Sequence, residues 1–310
     1  MSRIHEALKK AASERTSQVG NATSSDVVEL AGGSLVENLV AGDSRETLKR
    51  EISSGELAAP GFDQILKKCH KAEWKIDARY SVFANETLYP NGAERFRTLR
   101  SRLYQVAATR PLKRLLITSS VPQEGKTFIT SNLAQSFMRQ ENRKVLLIDG
   151  DLRASRLHLT LGAEPGPGLS EYLRGDADEF QVMQMGKEAN LCLIPGGGDV
   201  PNPSELLHSK RMKSLLDRMS SVFDWIIVDS PPAIAVHDAS ILADMCDGVL
   251  FVVRAGKTDF ELAQKAAQEF SEGNLLGVVL NRVEKNTGYP DYYYGYGKDR
   301  SIDKENNGGN

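Results

Sequence analysis

One stretch, Leu115 to Thr127, constrains the fold more than any other part of the chain. It reads LLITSSVPQEGKT, in which an apolar run gives way to a polar turn and then to Gly125 and Lys126, before a helical pattern begins. In such a loop, backbone N–H groups and a helix N-terminus face an anion, and the lysine reaches its outer phosphates. The stretch therefore predicts a phosphate-binding loop between a buried strand and a helix, although Ser120 replaces the usual first glycine.

Acidic residues follow two later apolar runs. One run ends in Asp149 and Asp151, and the other ends in Asp229. The carboxyl ends of parallel strands meet at one edge of a doubly wound sheet, so these carboxylates and the phosphate loop can share one crevice. Mg²⁺ bound with a nucleoside triphosphate takes one or two carboxylates plus phosphate oxygens. A single aspartate after a strand is more often a turn or cap residue, but three motifs in this order favour a magnesium site that includes Thr127.

Strand-like and helix-like segments alternate from about residue 91 onward. Near-continuous runs of β-branched residues and leucine indicate strands buried on both faces. The predicted fold class is α/β: a doubly wound, mostly parallel sheet in a three-layer α/β/α P-loop NTPase arrangement. Helix starts are also legible, because Asn202 and Pro203 suit the N-cap and first position of a helix that continues to Met219. Thr258 and Glu261 predict a capping box for the last helix.

Composition excludes several classes of function. The formal net charge of −2 over 310 residues gives no basic footprint for nucleic acid. The cysteines Cys69, Cys192 and Cys246 lack C-x-x-C spacing, which predicts reduced thiols in a cytosolic protein. The five histidines form no H-x-x-x-H pair, so no zinc site is expected. The N-terminus shows no signal-peptide pattern, and the longest apolar runs are too short to span a bilayer.

Three segments are predicted. Residues 1–80 form an N-terminal helical and linker-rich segment, in which Ser2–Ala12 suits either a marginal surface helix or a partner-docking helix. Residues 81–286 form the P-loop domain. Residues 287–310 form a flexible tail rich in tyrosine, glycine and polar residues.

The chain resembles the bacterial tyrosine kinases of exopolysaccharide and capsule biosynthesis, which are relatives of the MinD/ParA-like P-loop ATPases. The resemblance is carried by SSVPQEGKT as a Walker A loop, VLLIDGDLR as the second acidic box of this family, and WIIVDSPP as Walker B. It runs from about Asn91 to Gly297. The start, SRIHEAL, resembles the exosortase-associated members of the group. The loop departs from many relatives at Gln123, where they have glycine.

The resemblance implies a role for each matching residue. Lys126 would neutralise charge on the β- and γ-phosphates of ATP, and Thr127 would ligate Mg²⁺. Asp149 and Asp151 would share metal ligation and activation of the acceptor phenol, with the choice of base left open, and Asp229 would help to hold the metal. The full set of expected nucleotide contacts is Ser120, Gln123, Glu124, Gly125, Lys126, Thr127, Phe128 and Arg153.

The resemblance also implies self-association and a membrane partner. The residues Glu94, Arg97 and Arg100 alone fit a solvated helix face, but they match the family's E-x-x-R-x-x-R oligomerisation motif, which favours an interface. The implied partners are other copies of the chain in a ring-like homo-oligomer and a separate membrane polysaccharide co-polymerase, or chain-length determinant, acting as activator. The protein is therefore expected in the cytoplasm, peripheral to the inner face of the plasma membrane through that partner.

The tail is interpreted as an autophosphorylation cluster. Its composition alone would also fit an aromatic packing patch, and the resemblance favours phosphorylation. The tyrosines concerned are Tyr289, Tyr292, Tyr293, Tyr294 and Tyr296.

A second hypothesis comes from another functional class: a MinD/ParA-like switch ATPase that moves cargo without phosphorylating protein. That group carries a signature lysine at the position of Val121, and the tyrosine-rich tail is unlike theirs. Both differences favour the tyrosine kinase.

Overall fold

A computed structural model gives the structure of residues 61–283, apart from Glu86, Pro90, Ala189 and Glu272. Two predicted features, the helix at Ser2–Ala12 and the tyrosine cluster at 289–296, lie outside the described residues.

The described residues form one eight-stranded sheet. Its pairs are parallel except for the one between the fourth and fifth strands in chain order, which is antiparallel. From one edge to the other the strands are β1 (His70–Lys71), β4 (Gln184–Met185), β5 (Leu191–Ile194), β3 (Val145–Asp149), β6 (Trp225–Asp229), β2 (Arg114–Ser119), β7 (Gly248–Arg254) and β8 (Leu275–Asn281). The predicted fold class is confirmed. The phosphate loop follows β2, and the two acidic motifs follow β3 and β6, so all three leave adjacent strands.

Helices cover both faces of the sheet. They are α1 (Phe62–Lys68), α2 (Gly92–Ala107), α3 (Lys126–Met138), α4 (Leu157–Leu161), α5 (Leu169–Arg174), α6 (Glu179–Val182), α7 (Pro203–Leu207), α8 (Lys210–Ser220), α9 (Asp238–Ala243) and α10 (Phe260–Ala267). Successive side chains of a strand point to opposite faces. Accordingly, Leu115 and Ile117 pack in a cluster with Phe137 of α3, whereas Leu116 packs in a second cluster with Leu216 of α8. Burial of both faces explains the continuous apolar runs in the sequence.

Two predicted helix starts differ in detail from the structure. The single helix expected from Pro203 to Met219 is broken in two, because Ser209 begins a new helix by accepting a hydrogen bond from the Met212 N–H. The predicted capping box at Thr258 is wrong. Asp259 caps α10 by accepting a hydrogen bond from the Leu262 N–H at 3.1 Å. The Thr258 hydroxyl instead donates to the carboxylate of Glu124.

The sheet draws on residues from both sides of the predicted domain boundary at residue 80. β1 pairs with β4, and the wholly buried Ile65 of α1 belongs to the core. The Phe62 ring meets the Phe223 ring edge-on, with 5.8 Å between centroids. Within the part of the chain that the structure describes, no helix is long and apolar enough to cross a membrane.

Candidate active site

The phosphate loop has a backbone that favours glycine at two positions. Gln123 has φ of 66° and Gly125 has φ of 101°, both in the left-handed region. A Cβ atom at Gly125 would lie 2.1 Å from Nδ2 of Asn281, so close approach as well as backbone conformation requires glycine there. Because α3 begins at Lys126, its first N–H groups face the loop, which is the geometry that binds phosphate.

Glu124 fixes the phosphate loop to neighbouring segments through hydrogen bonds. Its carboxylate is 1% exposed and accepts hydrogen bonds from the Val121 N–H at 2.8 Å and the Arg254 N–H at 3.3 Å. The hydroxyl of Thr258 donates to the same carboxylate, and the Asn281 amide donates to the Glu124 carbonyl at 2.7 Å. The side chain of Glu124 is therefore bound to Val121 and to the end of β7, while its backbone carbonyl is bound to the end of β8.

Asp229 at the end of β6 contacts the first turn of α3. Its Oδ2 accepts from the Thr127 hydroxyl at 2.6 Å, and its Oδ1 accepts from the Thr130 hydroxyl at 3.1 Å. Burial raises the pKa of Asp229 to about 6, while the charge of Lys126 and the two threonine hydrogen bonds act in the opposite direction. The hydroxyl and carboxylate expected to hold the metal are thus adjacent.

Asp149 lies opposite Asp229 in the register of β3 and β6. Its Oδ2 accepts from the Ser155 hydroxyl at 2.7 Å and the Leu157 N–H at 2.9 Å, and its Oδ1 accepts from the Asp151 N–H at 3.2 Å. Burial first, and then the negative charge of Asp229, raise the pKa of Asp149 to about 7, against the effect of these hydrogen bonds. Both carboxylate oxygens of Asp149 therefore accept hydrogen bonds from other groups of the protein.

Asp151 has an oxygen that faces the phosphate loop. Its Oδ2 lies 3.9 Å from Nζ of Lys126, while its Oδ1 accepts from the Ala154 N–H at 3.0 Å. Lys126 and Asp151 are 9% and 7% exposed, so the pair is sheltered but still reaches the surface of the crevice.

Arg153 turns away from the phosphate loop. Its Nε donates to Oδ2 of Asp238 at 2.8 Å, and its Nη2 donates to the Ser204 hydroxyl at 3.0 Å. Neither Asp238 nor Ser204 was predicted as a site residue. Each lies at a helix start, where aspartate and serine are ordinary, so the sequence carried no signal that could single them out.

A cavity of about 560 Å³ adjoins the loop between α2, the start of α3 and β8. Phe128 lines it and packs against Tyr89, with 5.5 Å between ring centroids. Asn281 and Arg282 line the end of the cavity nearest the loop. Sequence reasoning did not single out Tyr89 or Asn281, because only the fold brings them to the cavity that Phe128 lines.

The residues present fit a phosphate and a magnesium ion. The hydroxyl of Ser120 is buried and has no hydrogen-bond partner among the described residues, so a phosphate oxygen could satisfy it. No three His, Cys, Asp or Glu side chains in the described ranges form an all-protein metal cage. Mg²⁺ needs no such cage, since it binds through one or two carboxylates with phosphate and water oxygens, and Thr127 and Asp229 supply that kind of partial shell.

The predicted oligomerisation residues differ in their surroundings. Arg97 and Glu94 are both exposed and form an ion pair of 3.1 Å on α2. Arg100 is half-buried and donates to the backbone carbonyl of Ser136 in α3. Two members of the motif are therefore available to another protein, whereas the third fastens α2 to α3.

Comparisons with known proteins point to one family. The model of the CobQ/CobB/MinD/ParA nucleotide binding domain matches residues 115–296. Over 207 residues the chain is 38% identical to the tyrosine-protein kinase YwqD of Bacillus subtilis, an alignment that covers 66% of this chain and 86% of that protein. It is 36% identical over 207 residues to the tyrosine-protein kinase wzc of Salmonella typhimurium, of which it spans only 29%.

A solved structure agrees. The kinase domain of the Escherichia coli tyrosine kinase ETK superposes with a TM-score of 0.62 and 31% identity, covering 79% of this chain and 96% of that domain. The match to the nucleotide-binding domain covers more than half of the chain, and the Bacillus relative is covered over most of its length. The chain belongs to the bacterial tyrosine-protein kinases within the CobQ/CobB/MinD/ParA nucleotide-binding family.

Proposed function

We propose that this protein is an ATP-dependent protein tyrosine kinase that phosphorylates the tyrosine cluster of another copy of itself. One observation carries the proposal: the phosphate loop, Asp151 and Asp229 converge from the ends of three adjacent strands. The Lys126–Asp151 distance of 3.9 Å and the Thr127–Asp229 hydrogen bond of 2.6 Å support a phosphate-binding role for Lys126 and a metal-binding role for Thr127 and Asp229.

The nucleotide would be bound both at its phosphates and at its adenine ring. Backbone N–H groups at the start of α3, the Ser120 hydroxyl and the Lys126 ammonium would contact the phosphates. The cavity lined by Phe128, Tyr89 and Asn281 would take the adenine ring, since it adjoins the loop and combines aromatic walls with an amide. These contacts favour ATP as the phosphoryl donor.

Thr127 and Asp229 would hold Mg²⁺, with Asp149 behind them as the next carboxylate. When bound there, the ion would supply positive charge to offset the negative charge that develops on the phosphates during transfer. The hydrogen bond from Thr127 to Asp229 holds these two oxygens next to each other, which supports a shared role in metal binding.

Asp151 is the better placed of the two candidate bases. Asp149 is fully buried and both of its oxygens accept hydrogen bonds from the protein, whereas one oxygen of Asp151 faces Lys126 and the crevice. The acceptor phenol oxygen would bond to the γ-phosphorus as the bond to the β–γ bridging oxygen breaks. Its proton would pass to Asp151, and ADP would leave.

The cellular role follows the family resemblance. We assign the chain to regulation of exopolysaccharide or capsule assembly and export, in a ring-like homo-oligomer activated by a membrane co-polymerase. The N-terminal segment is the candidate docking segment for that partner, which would hold the kinase at the inner face of the plasma membrane. The exposed Glu94–Arg97 pair supports an interface on α2.

The switch-ATPase hypothesis is less well supported. The curated relatives described above are named as tyrosine-protein kinases, and Val121 stands where that class has its signature lysine.

The test is phosphopeptide mass spectrometry of the C-terminal peptide after incubation with Mg·ATP. We expect phosphate on Tyr289–Tyr296 in the wild-type chain and none in Lys126→Met, because the phosphates lose their neutralising cation. Lys187→Met removes an exposed lysine and is the matched control, which should phosphorylate normally. ATP hydrolysis with an unmodified tail would instead support the switch ATPase, and retained phosphorylation in Lys126→Met would contradict the assignment of the loop.

A further inference from the structure

A buried carboxylate outside the predicted site holds the acidic loop, which comprises residues 150–156, through Arg153. Asp238 is the first residue of α9, and its side chain is fully buried. Its Oδ2 accepts from Nε of Arg153 at 2.8 Å, and its Oδ1 accepts from Nη2 of the same arginine at 3.3 Å and from the Ser204 hydroxyl at 2.5 Å. The two-pronged contact fixes the plane of the guanidinium as well as its position.

The geometry of this cluster matters more than its contribution to stability. Burial of a carboxylate costs desolvation energy that an ion pair only partly returns, so a buried ion pair is weak evidence for stability. The hydrogen bonds instead specify where the arginine lies. Arg153 is two residues after Asp151, and its guanidinium is bound between the starts of α7 and α9.

The acidic loop is held from both sides. On one side, Asp149 accepts from Ser155 and Leu157, which fixes the far end of the loop to β3. On the other side, Asp238 holds Arg153. Asp151 lies between these anchors, with its Oδ1 on the Ala154 N–H and its Oδ2 toward Lys126. A shift of Arg153 would therefore move Asp151 relative to the phosphate loop.

We propose that Asp238 is a positioning residue for phosphoryl transfer: through Arg153, with Ser204 as a second support, it holds the loop that aims Asp151 at the acceptor hydroxyl. The proposal rests on the function proposed above, and it adds a residue that touches neither nucleotide nor acceptor. A misplacement of about 1 Å at a reacting group can cost on the order of 100-fold in rate, which is why such a support matters.

Two variants test this. Asp238→Asn keeps the size of the side chain but removes the charge that holds Arg153. Arg153→Met combined with Asp238→Asn removes both charges, so that no ionised group is left without its partner. The matched control is Arg218→Met with Glu179→Gln, which removes a partly sheltered ion pair between α8 and α6, elements that supply none of the site residues.

We expect Asp238→Asn and the double variant to lower tail phosphorylation about 10- to 100-fold, with affinity for a fluorescent ATP analogue changed by no more than about twofold. The double variant should unfold near the wild-type melting temperature and still phosphorylate the tail slowly. The control pair should phosphorylate at close to the wild-type rate. Hydrogen–deuterium exchange over residues 150–156 should be faster in both site variants and unchanged in the control.

Three results would overturn the proposal. The first is a wild-type rate in Asp238→Asn, which would leave Arg153 acting alone. The second is recovery of activity together with stability in the double variant, and the third is an equal loss of activity in the control pair. If the wild-type chain phosphorylates no tyrosine, the proposed function fails, and the exchange measurement still decides whether Asp238 holds the loop.

Discussion

At the scale of single residues, the phosphate loop combines one strict and one tolerant position. Gly125 has a left-handed backbone and also lies against Asn281, so any side chain would collide. Gln123 has a left-handed backbone as well, but its side chain is exposed. The backbone angles therefore cost energy at Gln123, whereas there is room for the side chain.

Replacement of Gln123 tests this distinction. Gln123→Gly should change the free energy of unfolding by no more than about 1 kcal/mol, because relief of the left-handed strain offsets the greater freedom of glycine in the unfolded chain. Gln123→Val should lower it by about 1–2 kcal/mol, since a β-branched residue resists this conformation. Chemical denaturation of both variants measures the difference, and equal stabilities would show that the loop relaxes out of the left-handed region.

At the scale of elements, the site depends on how neighbouring segments are fastened together. Glu124 ties the phosphate loop to the ends of β7 and β8, and Asp238 ties the acidic loop to α7 and α9. On the outer face, Arg100 ties α2 to α3, the helix that begins at the phosphate loop. The motif on α2 therefore has a structural part and an exposed part.

Substitution of the two arginines of this motif should have different effects, one on self-association and the other on stability. Arg97→Ala should weaken self-association with little change in stability, because an exposed ion pair contributes only a few tenths of a kcal/mol. Arg100→Ala should lower the free energy of unfolding by about 1–2 kcal/mol, because it removes a charged hydrogen-bond donor from the Ser136 carbonyl. Sedimentation velocity and chemical denaturation measure the two effects.

Arg79→Ala is the control for that pair of measurements, since it removes an exposed arginine paired with Asp77 elsewhere on the surface. An unchanged sedimentation profile in Arg97→Ala would show that the surface of α2 formed by Glu94 and Arg97 is a solvated face and not an interface.

At the scale of the whole molecule, a sheet buried on both faces accounts for most of the apolar sequence. The three cysteines all pack in the cluster on the face that also contains α8. Burial raises the pKa of each thiol, and that of Cys246 to about 12. Because the thiolate is the reactive form, all three should be inert in the folded chain.

Maleimide labelling followed by intact mass measurement tests the prediction. At pH 8 the native chain should take up essentially no label, and in denaturant it should take up three labels, one for each cysteine. A change from pH 7 to pH 8 should not speed labelling of Cys246 in the native chain, because its raised pKa keeps the thiol protonated at both pH values. Rapid labelling of Cys69 at pH 8 would show that the junction of α1 and β1 opens in solution.

The sequence predicted the central parts of the molecule correctly. The strand before the phosphate loop, the acidic ends of β3 and β6, and the mostly parallel sheet could all be read from apolar runs followed by characteristic polar residues. The capping box at Thr258 failed because a threonine hydroxyl can bond either to its own helix or to a distant carboxylate, and here Glu124 was the partner. The break between α7 and α8 was missed because Ser209 is a weak signal within an otherwise apolar pattern.

The sequence by itself determined which residue types meet at the carboxyl edge of the sheet, because the order of strands and motifs along the chain specifies this fold. Only the tertiary structure decided how they are supported. Asn281 on the phosphate loop, Asp238 on Arg153 and Tyr89 beside Phe128 are contacts between segments far apart in sequence. Such contacts depend on packing between elements, whereas periodicity and spacing record only the local conformation of each element.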